Sequence, residues 1–253
     1  MTITVDVDSA TTPEELATTL ETANVAGQAN TAVGTMEGGL KSVTSEASSN
    51  CDMLGSINGM VGDAAKAVKD GFKAATAAVE GAIGAVMETI GDIIKGVKAA
   101  VGAMAAKVAE FAQWLKSAAS TALTAAKAAL KALFDGMNAV FSAVSDAVSA
   151  AVGAIGDLAK EMFSSVKNMC ARDCQTISTS VKKIGPGAGI DSTAAAVSAS
   201  PADFAATNMA GVGSSLSSAQ GTLGGAQTSL NGAKTGAANI STNTAALNSL
   251  MTA

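Results

Sequence analysis

The sequence predicts an all-α fold: an elongated coiled-coil or helical-bundle protein with Gly-rich breaks and a short amino-terminal strand. Three observations predict it. Apolar residues recur at alternating three- and four-residue steps through most of the 253 residues, which places them on one stripe of a helix. Aromatics are 3% of the chain and charged residues 15%, so any core must be thin and built from Ala, Val, Ile, Leu and Met rather than bulky rings. Gly and Pro fall together at 185–189, where no helix continues.

Residues 1–25 open with Ile3, Val5 and Val7 alternating with polar residues, the pattern of a short strand. A lone strand is not stable, so it either pairs with a neighbouring subunit or stays loose. Thr12-Pro13-Glu14-Glu15 then starts a helix: Thr12 caps it, Pro13 suits the first helical position and Glu15 completes a capping box.

Residues 26–61 form a helix of small polar residues with the seam Val33, Met36, Leu40, Val43, Ala47, Asn50, Leu54, Ile57, Val61. Asn50 sits in a core slot, either fixing register or marking a weak, frayed helix.

Residues 62–183 are Ala-rich with mixed charges. The seam runs Ile83, Val86, Ile90, Ile93, Val97, Val101, Met104, Val108, Phe111, Leu115, then Leu130, Leu133, Met137, Val140, Val144, and on through Val148, Ile155, Met162 and Met169. Slips near Ala119 and Val148 read as four-residue stutters or as bends between helices. Asp135-Gly136-Met137-Asn138 is the candidate turn. The glycines at 62, 71, 81, 84, 91, 96, 102, 136, 153 and 156 each cost about 1 kcal/mol in an isolated helix, which suggests that helices approach one another closely there. Unbroken, residues 62–169 would span roughly 160 Å; the spacing leaves open whether they form one rod or a hairpin.

Residues 184–200 are a Gly/Pro linker. Ser200 and Pro201 restart a helix over 201–253. Its seam, Met209, Val212, Leu216, Ala219, Leu223, Ala226, Leu230, Ala233, Ala237, Ile240, Thr244, Leu247, Met251, has no slip, and from Phe204 onward Lys234 is the one charge. So uncharged a surface suits packing inside a multi-chain bundle.

The composition excludes much chemistry. His is absent, which removes the commonest general base and metal ligand. Cys170 and Cys174 share a helix face and Cys51 lies apart; two sulfurs without His make no zinc site, an i,i+4 disulfide on a straight helix is geometrically poor, and free structural cysteines are expected, with a bridge from Cys51 to one of the pair as the alternative. No cofactor or metal is expected, no catalytic constellation is present, and the reading is not an enzyme. Glu80, Glu88, Asp92 and Glu110 among Lys95, Lys98 and Lys107 read as a solvated face with i,i+3 and i,i+4 ion pairs. The net charge is −5, and residues 1–60 carry eight acids against Lys41. That opening argues against a nucleic-acid arm and against a secretory signal.

The stretch 136–156 carries only Asp146 as a charge and is about long enough to cross a membrane. Ser, Asn and Gly dilute it, which favours a buried helix of an assembly over conditional membrane insertion. Trp114, beside Phe111 and between Lys107 and Lys116, either fills a core gap or sits at an interface.

The helices TLGGAQTSLNGAKTGAANISTNTAALNSL and NTAVGTMEGGLKSVTSEASSN resemble the low-charge helices of secreted filament subunits and bacteriophage tail components. The stretch AAVEGAIGAVMETIGDIIKGVKAAVGAMAAKVAEFAQWL is similar in style to phage tape-measure and tail-interior proteins. The resemblance is one of composition across most of the chain. It implies a virion part in a tail or baseplate, made in the host cytoplasm and present in several symmetric copies.

The expected function is therefore non-enzymatic structure, with the chain itself and other virion or assembly proteins as partners and no direct nucleic-acid binding. The expected interface residues are Met209, Val212, Leu216, Leu223, Leu230, Ile240 and Leu247, together with Val33, Leu40 and Leu54. Leu223→Asp is expected to abolish assembly while leaving expression intact. The alternative is a membrane-active translocator or pore former, secreted or membrane-associated, that inserts 136–156.

Overall fold

The computed structural model describes residues 2–60, 66–183 and 201–252, with side chains chiefly at 2–49, 84–157 and 213–252. Helices account for 90% of the described residues, and there is no strand among them. The order is α1 (Pro13–Thr22), α2 (Val25–Met60), α3 (Lys66–Leu115), a single 3-10 turn (Ser120–Ala122), α4 (Leu123–Lys183) and α5 (Pro201–Thr252). The helix ends at Lys183 and Pro201 fall on either side of the Gly/Pro stretch; the linker itself, 184–200, lies outside the described residues.

Two compact units form. One comprises 1–44, 84–151 and 224–253; the other comprises 45–83 and 152–223. The first is a helical-bundle-like arrangement of α1 with parts of α2, α3, α4 and α5. Contacts set the helix directions. Glu37 of α2 pairs with Lys98 of α3 at 2.9 Å, and Leu40 reaches Gly91, so these helices run antiparallel. Asn243 of α5 donates to Ala132 O of α4 at 3.1 Å, and Gly236 faces Val140, so this pair is antiparallel too. Each helix contributes its stripe. Val33, Met36 and Val43, then Val86 to Leu115, then Leu130 to Val144, then Leu230, Ala233, Ile240 and Leu247 are buried at the expected spacing. In the second unit, the described buried side chains are Ala154, Ile155, Ala159, Ala219 and Leu223.

Local chemistry explains the helix ends. Thr12 Oγ1 accepts from Glu15 N at 3.2 Å, with Pro13 at the first helical position. The α1–α2 corner turns on Asn24, the one described non-glycine residue with positive φ, at 47°. Asn tolerates this region, and its Oδ1 caps α2 by accepting from Gly27 N at 3.2 Å. A Cβ on residue 27 would collide with that amide. α3 stops where Ser117 N and Ala118 N turn back to Trp114 O and Leu115 O, and Ala119 is extended at φ −68°, ψ 151°. The slip at Ala119 is thus a break, and 66–169 divides between α3 and α4.

Four expectations are corrected. Residues 2–8 form no strand: no neighbouring strand is present among the described residues, and a tight turn closes the segment with Val7 N donating to Val5 O at 3.0 Å. Asp135–Asn138 is no turn, because α4 runs through it. Leu133, Phe134, Met137, Val140 and Phe141 are all buried there, and seam packing overrides local turn propensity. Val148 marks no bend; α4 continues, Ala147 and Ala151 take the buried positions, and Val148 leans on Gly39, where a Cβ would meet its Cγ1 at 2.9 Å. Nor do the described glycines of α3 and α4 mark close approach; Gly62 and the surroundings of Gly71 lie outside the described residues. A Cβ on 81, 84, 96, 102, 153 or 156 would meet nothing within 4 Å, and on 91 or 136 it would make ordinary contact. Among the described glycines, Gly39 and Gly236 are those against which a side chain of another long helix packs closer than 3 Å to where a Cβ would sit.

Candidate functional site

The expected interface residues are placed as follows. Val33, Leu223, Leu230, Ile240 and Leu247 are buried, while Leu216 and Leu40 are half-buried. Met209, Val212 and Leu54, with Asn50 and the three cysteines, have side chains outside the described set. In the first unit these seam residues close the chain's own bundle. A neighbouring chain there would meet the outward faces instead.

The outward face of α5 is chemically quiet. Thr228, Thr235, Thr242 and Ser249 stand seven residues apart on its outermost line, all exposed. Each hydroxyl donates to the helix's own carbonyl four residues back, at Gly224, Asn231, Ala238 and Ala245, over 3.1, 3.2, 3.4 and 3.3 Å. Such back-bonding takes the donor away from solvent. Gly221, Gly224, Gly225 and Gly232 meet nothing within 4 Å, so between these hydroxyls the backbone lies nearly bare.

The charges sit where solvated pairs are expected. Asp92–Lys95 and Lys107–Glu110 are i,i+3 pairs at 3.3 and 2.6 Å. Lys98 departs from the expectation by crossing to Glu37. Glu21 receives Lys116 at 2.7 Å and Gln113 Nε2 at 3.2 Å, tying α1 to the end of α3. Trp114 is half-buried and stacks on Phe111 with ring centroids 5.1 Å apart. In 136–156, Met137, Val140, Phe141, Val144, Ala147, Ala151, Ala154 and Ile155 are buried, whereas Ser142, Ser145, Asp146, Ser149 and Gly153 are exposed. A helix within Ser120–Glu161 is long and apolar enough to cross a membrane, with mean hydropathy 1.6 over its best window and 39% of that window buried.

The amino-terminal arm is the most specific polar construction. Asn138 on α4 accepts from Ile3 N at 2.6 Å and donates to Ile3 O at 3.1 Å. Gln28 on α2 accepts from Thr4 N at 2.8 Å and donates to Thr4 O at 3.2 Å. Gln28 Nε2 also donates to Ala23 O at 2.6 Å, which fixes its position. Two carboxamides thus do for this backbone what an adjacent strand would do. Ile3, Val7 and Ala10 are buried beneath it. Asp8 closes the far end: its carboxylate pairs with Lys131 at 3.1 Å, and its carbonyl accepts from Lys127 at 2.9 Å. Asp8 holds the Lys131 ammonium above its ordinary pKa, through the hydrogen bond and then its charge. The alternation of Ile3, Val5 and Val7 points to a strand rather than to this arm, and nothing in the sequence points to Gln28 or Asn138 as its partners.

An open depression at the start of α1 is lined by Ser9, Ala10, Thr12, Glu14, Glu15, Thr18 and Thr19. Its Glu15 carboxylate is already engaged by Thr11 N and Thr11 Oγ1, both at 2.7 Å. Those bonds hold Glu15 below its ordinary pKa. Among the described residues, no group of three or more His, Cys, Asp or Glu side chains could hold a metal ion. Gln227 Nε2 donates to Thr89 Oγ1 at 3.2 Å, while its buried Oε1 has no partner. No protein-family model matches this chain, and neither a curated protein nor a solved structure is found to be similar to it.

Proposed function

We propose that this chain is a non-enzymatic structural component of a multi-subunit assembly, built by helix–helix packing of repeated copies. The observation that carries the reading is the outward face of α5, where one lysine serves the described stretch from 213 to 252 and the outermost hydroxyls are bonded back to the helix. A solvated helix ordinarily carries charge on that face. A bare, small-residue face suits close packing against another copy. The coiled-coil character and the elongation belong to this proposal. So does the virion setting, a bacteriophage tail or baseplate, which rests on resemblance of composition. A membrane-active translocator is the second reading, favoured by the apolar stretch within Ser120–Glu161.

Outward charges test the first reading better than a seam substitution does. Leu223 is 4% exposed, so Leu223→Asp would injure the fold as well as any assembly. Thr228→Glu combined with Thr235→Glu leaves the buried stripe untouched. On a free surface such changes fall within about 0.5 kcal/mol; within an interface they bury unpaired carboxylates. Circular dichroism should show the double variant helical, and light scattering should show it dissociated. A variant as multimeric as wild type would remove α5 as the docking face. Dye release from detergent-free liposomes by the wild-type chain would instead favour the translocator.

A further inference from the structure

We propose that the groove between α2 and α4 is a receptor for an extended peptide, and that in the assembly its occupant is the residue 2–10 arm of a second copy of this chain. The inference rests on the multi-copy reading above and names the segment through which copies are joined. Four features of the groove support it. The arm's backbone at Ile3 and Thr4 is held by tertiary contacts, because Asn138 and Gln28 lie 135 and 24 residues from the residues they grip. Each carboxamide reads one residue's N–H and C=O together, as an edge strand does when it captures a peptide by its main chain. Specificity comes from alternate side chains: Ile3 and Val7 are buried while Thr4 and Asp6 face out. Charge is complementary at the far end, where Asp8 meets Lys127 and Lys131.

None of these contacts depends on the arm belonging to the same chain. Between Asp8 and Thr12 the backbone is irregular. Its described local bonds are those of Ser9 N and Oγ to Asp6, at 3.1 Å each, and of Thr11 to Glu15. Redirecting the arm at residues 9–12 would give up these local bonds and the burial of Ala10, while the clamps on Ile3 and Thr4 and the Asp8 contacts are kept. Exchange of an identical element between protomers is a low-cost route to oligomers for this reason. Across a symmetric pair the exchange would be reciprocal, each copy giving an arm and receiving one.

The native Asp8–Lys131 pair supplies the test without substitution. Full-length chains labelled with heavy nitrogen are mixed equally with unlabelled chains, unfolded in urea and refolded together. A carbodiimide then condenses the Asp8 carboxylate with the Lys131 amine, with loss of water. Mass spectrometry of the digest reads whether the joined peptides carry the same or different isotopes, and native mass spectrometry reads the oligomer. The expected result is isotopically mixed oligomers in which about half of the Asp8–Lys131 cross-links join unlike chains, as random reciprocal exchange requires. Mixed oligomers with cross-links only between like isotopes would overturn the arm exchange and leave the assembly standing. Monomers alone would overturn both.

Discussion

Two glycines four residues apart on α5 should respond to alanine with opposite signs. Gly232 and Gly236 are both helical, and replacing either by Ala gains about 1 kcal/mol in helix propensity. At Gly232 a Cβ meets nothing within 4 Å, so that gain is the whole effect. At Gly236 the Cβ would lie 2.6 Å from Val140 Cγ2. Val140 is 1% exposed, and a β-branched side chain in a helix strongly prefers one rotamer. Either that side chain or the α4–α5 spacing must shift, and overpacking of this kind costs about 1–3 kcal/mol. Gly236→Ala should therefore be neutral to destabilising by about 2 kcal/mol, while Gly232→Ala stabilises by about 1 kcal/mol. Urea unfolding followed by circular dichroism measures both. Adding Val140→Ala, which removes the opposing methyl, should recover part of the loss, with a coupling energy above about 0.5 kcal/mol. Equal stabilisation by both single substitutions would refute the close approach of α4 and α5 at this point.

Other outcomes follow from the same packing. Leu230→Ala truncates a fully buried seam residue and should cost about 2–5 kcal/mol, against little for Ala→Ser at exposed Ala238; thermal melting separates them. Asn138→Ala should leave the helices intact but speed hydrogen exchange at the Ile3 amide, read by mass spectrometry; unchanged exchange would mean that the carboxamide does not hold the arm. The Glu15 carboxyl is held below its ordinary value of 4.5 by bonds from Thr11. A depressed folded value contributes stability that is present above the unfolded value and lost as pH falls through the folded one. Thermal midpoints should decline below about pH 4.5, and Glu15→Gln should blunt that decline.

The helical fold was legible because the seams are long and regular. Leu230, Ile240 and Leu247 lie where period alone puts them, and so do Val86 through Leu115. The α1 cap was legible in Thr12-Pro13, since its bonds are local. What the sequence hid was tertiary. Asp135-Gly136-Met137-Asn138 has turn composition, yet buried Leu133, Met137 and Phe141 carry α4 through it. Val148 looked like a slip because its accommodation depends on Gly39, more than a hundred residues away. Gly39 and Gly236 were indistinguishable from the glycines that face open space, because what matters is the residue opposite. The alternation of Ile3, Val5 and Val7 with polar residues has the pattern of a strand, but the partners of this backbone are side chains from two distant helices. No local pattern encodes Asn138 or Gln28 as a clamp.

Sedimentation velocity on the purified, detergent-free chain tests the central claim most directly. Self-assembly through uncharged helix faces predicts one sharply defined oligomer, such as a trimer or hexamer, that persists on dilution. A folded monomer at all concentrations, or material that becomes uniform only when lipid is added, would contradict it.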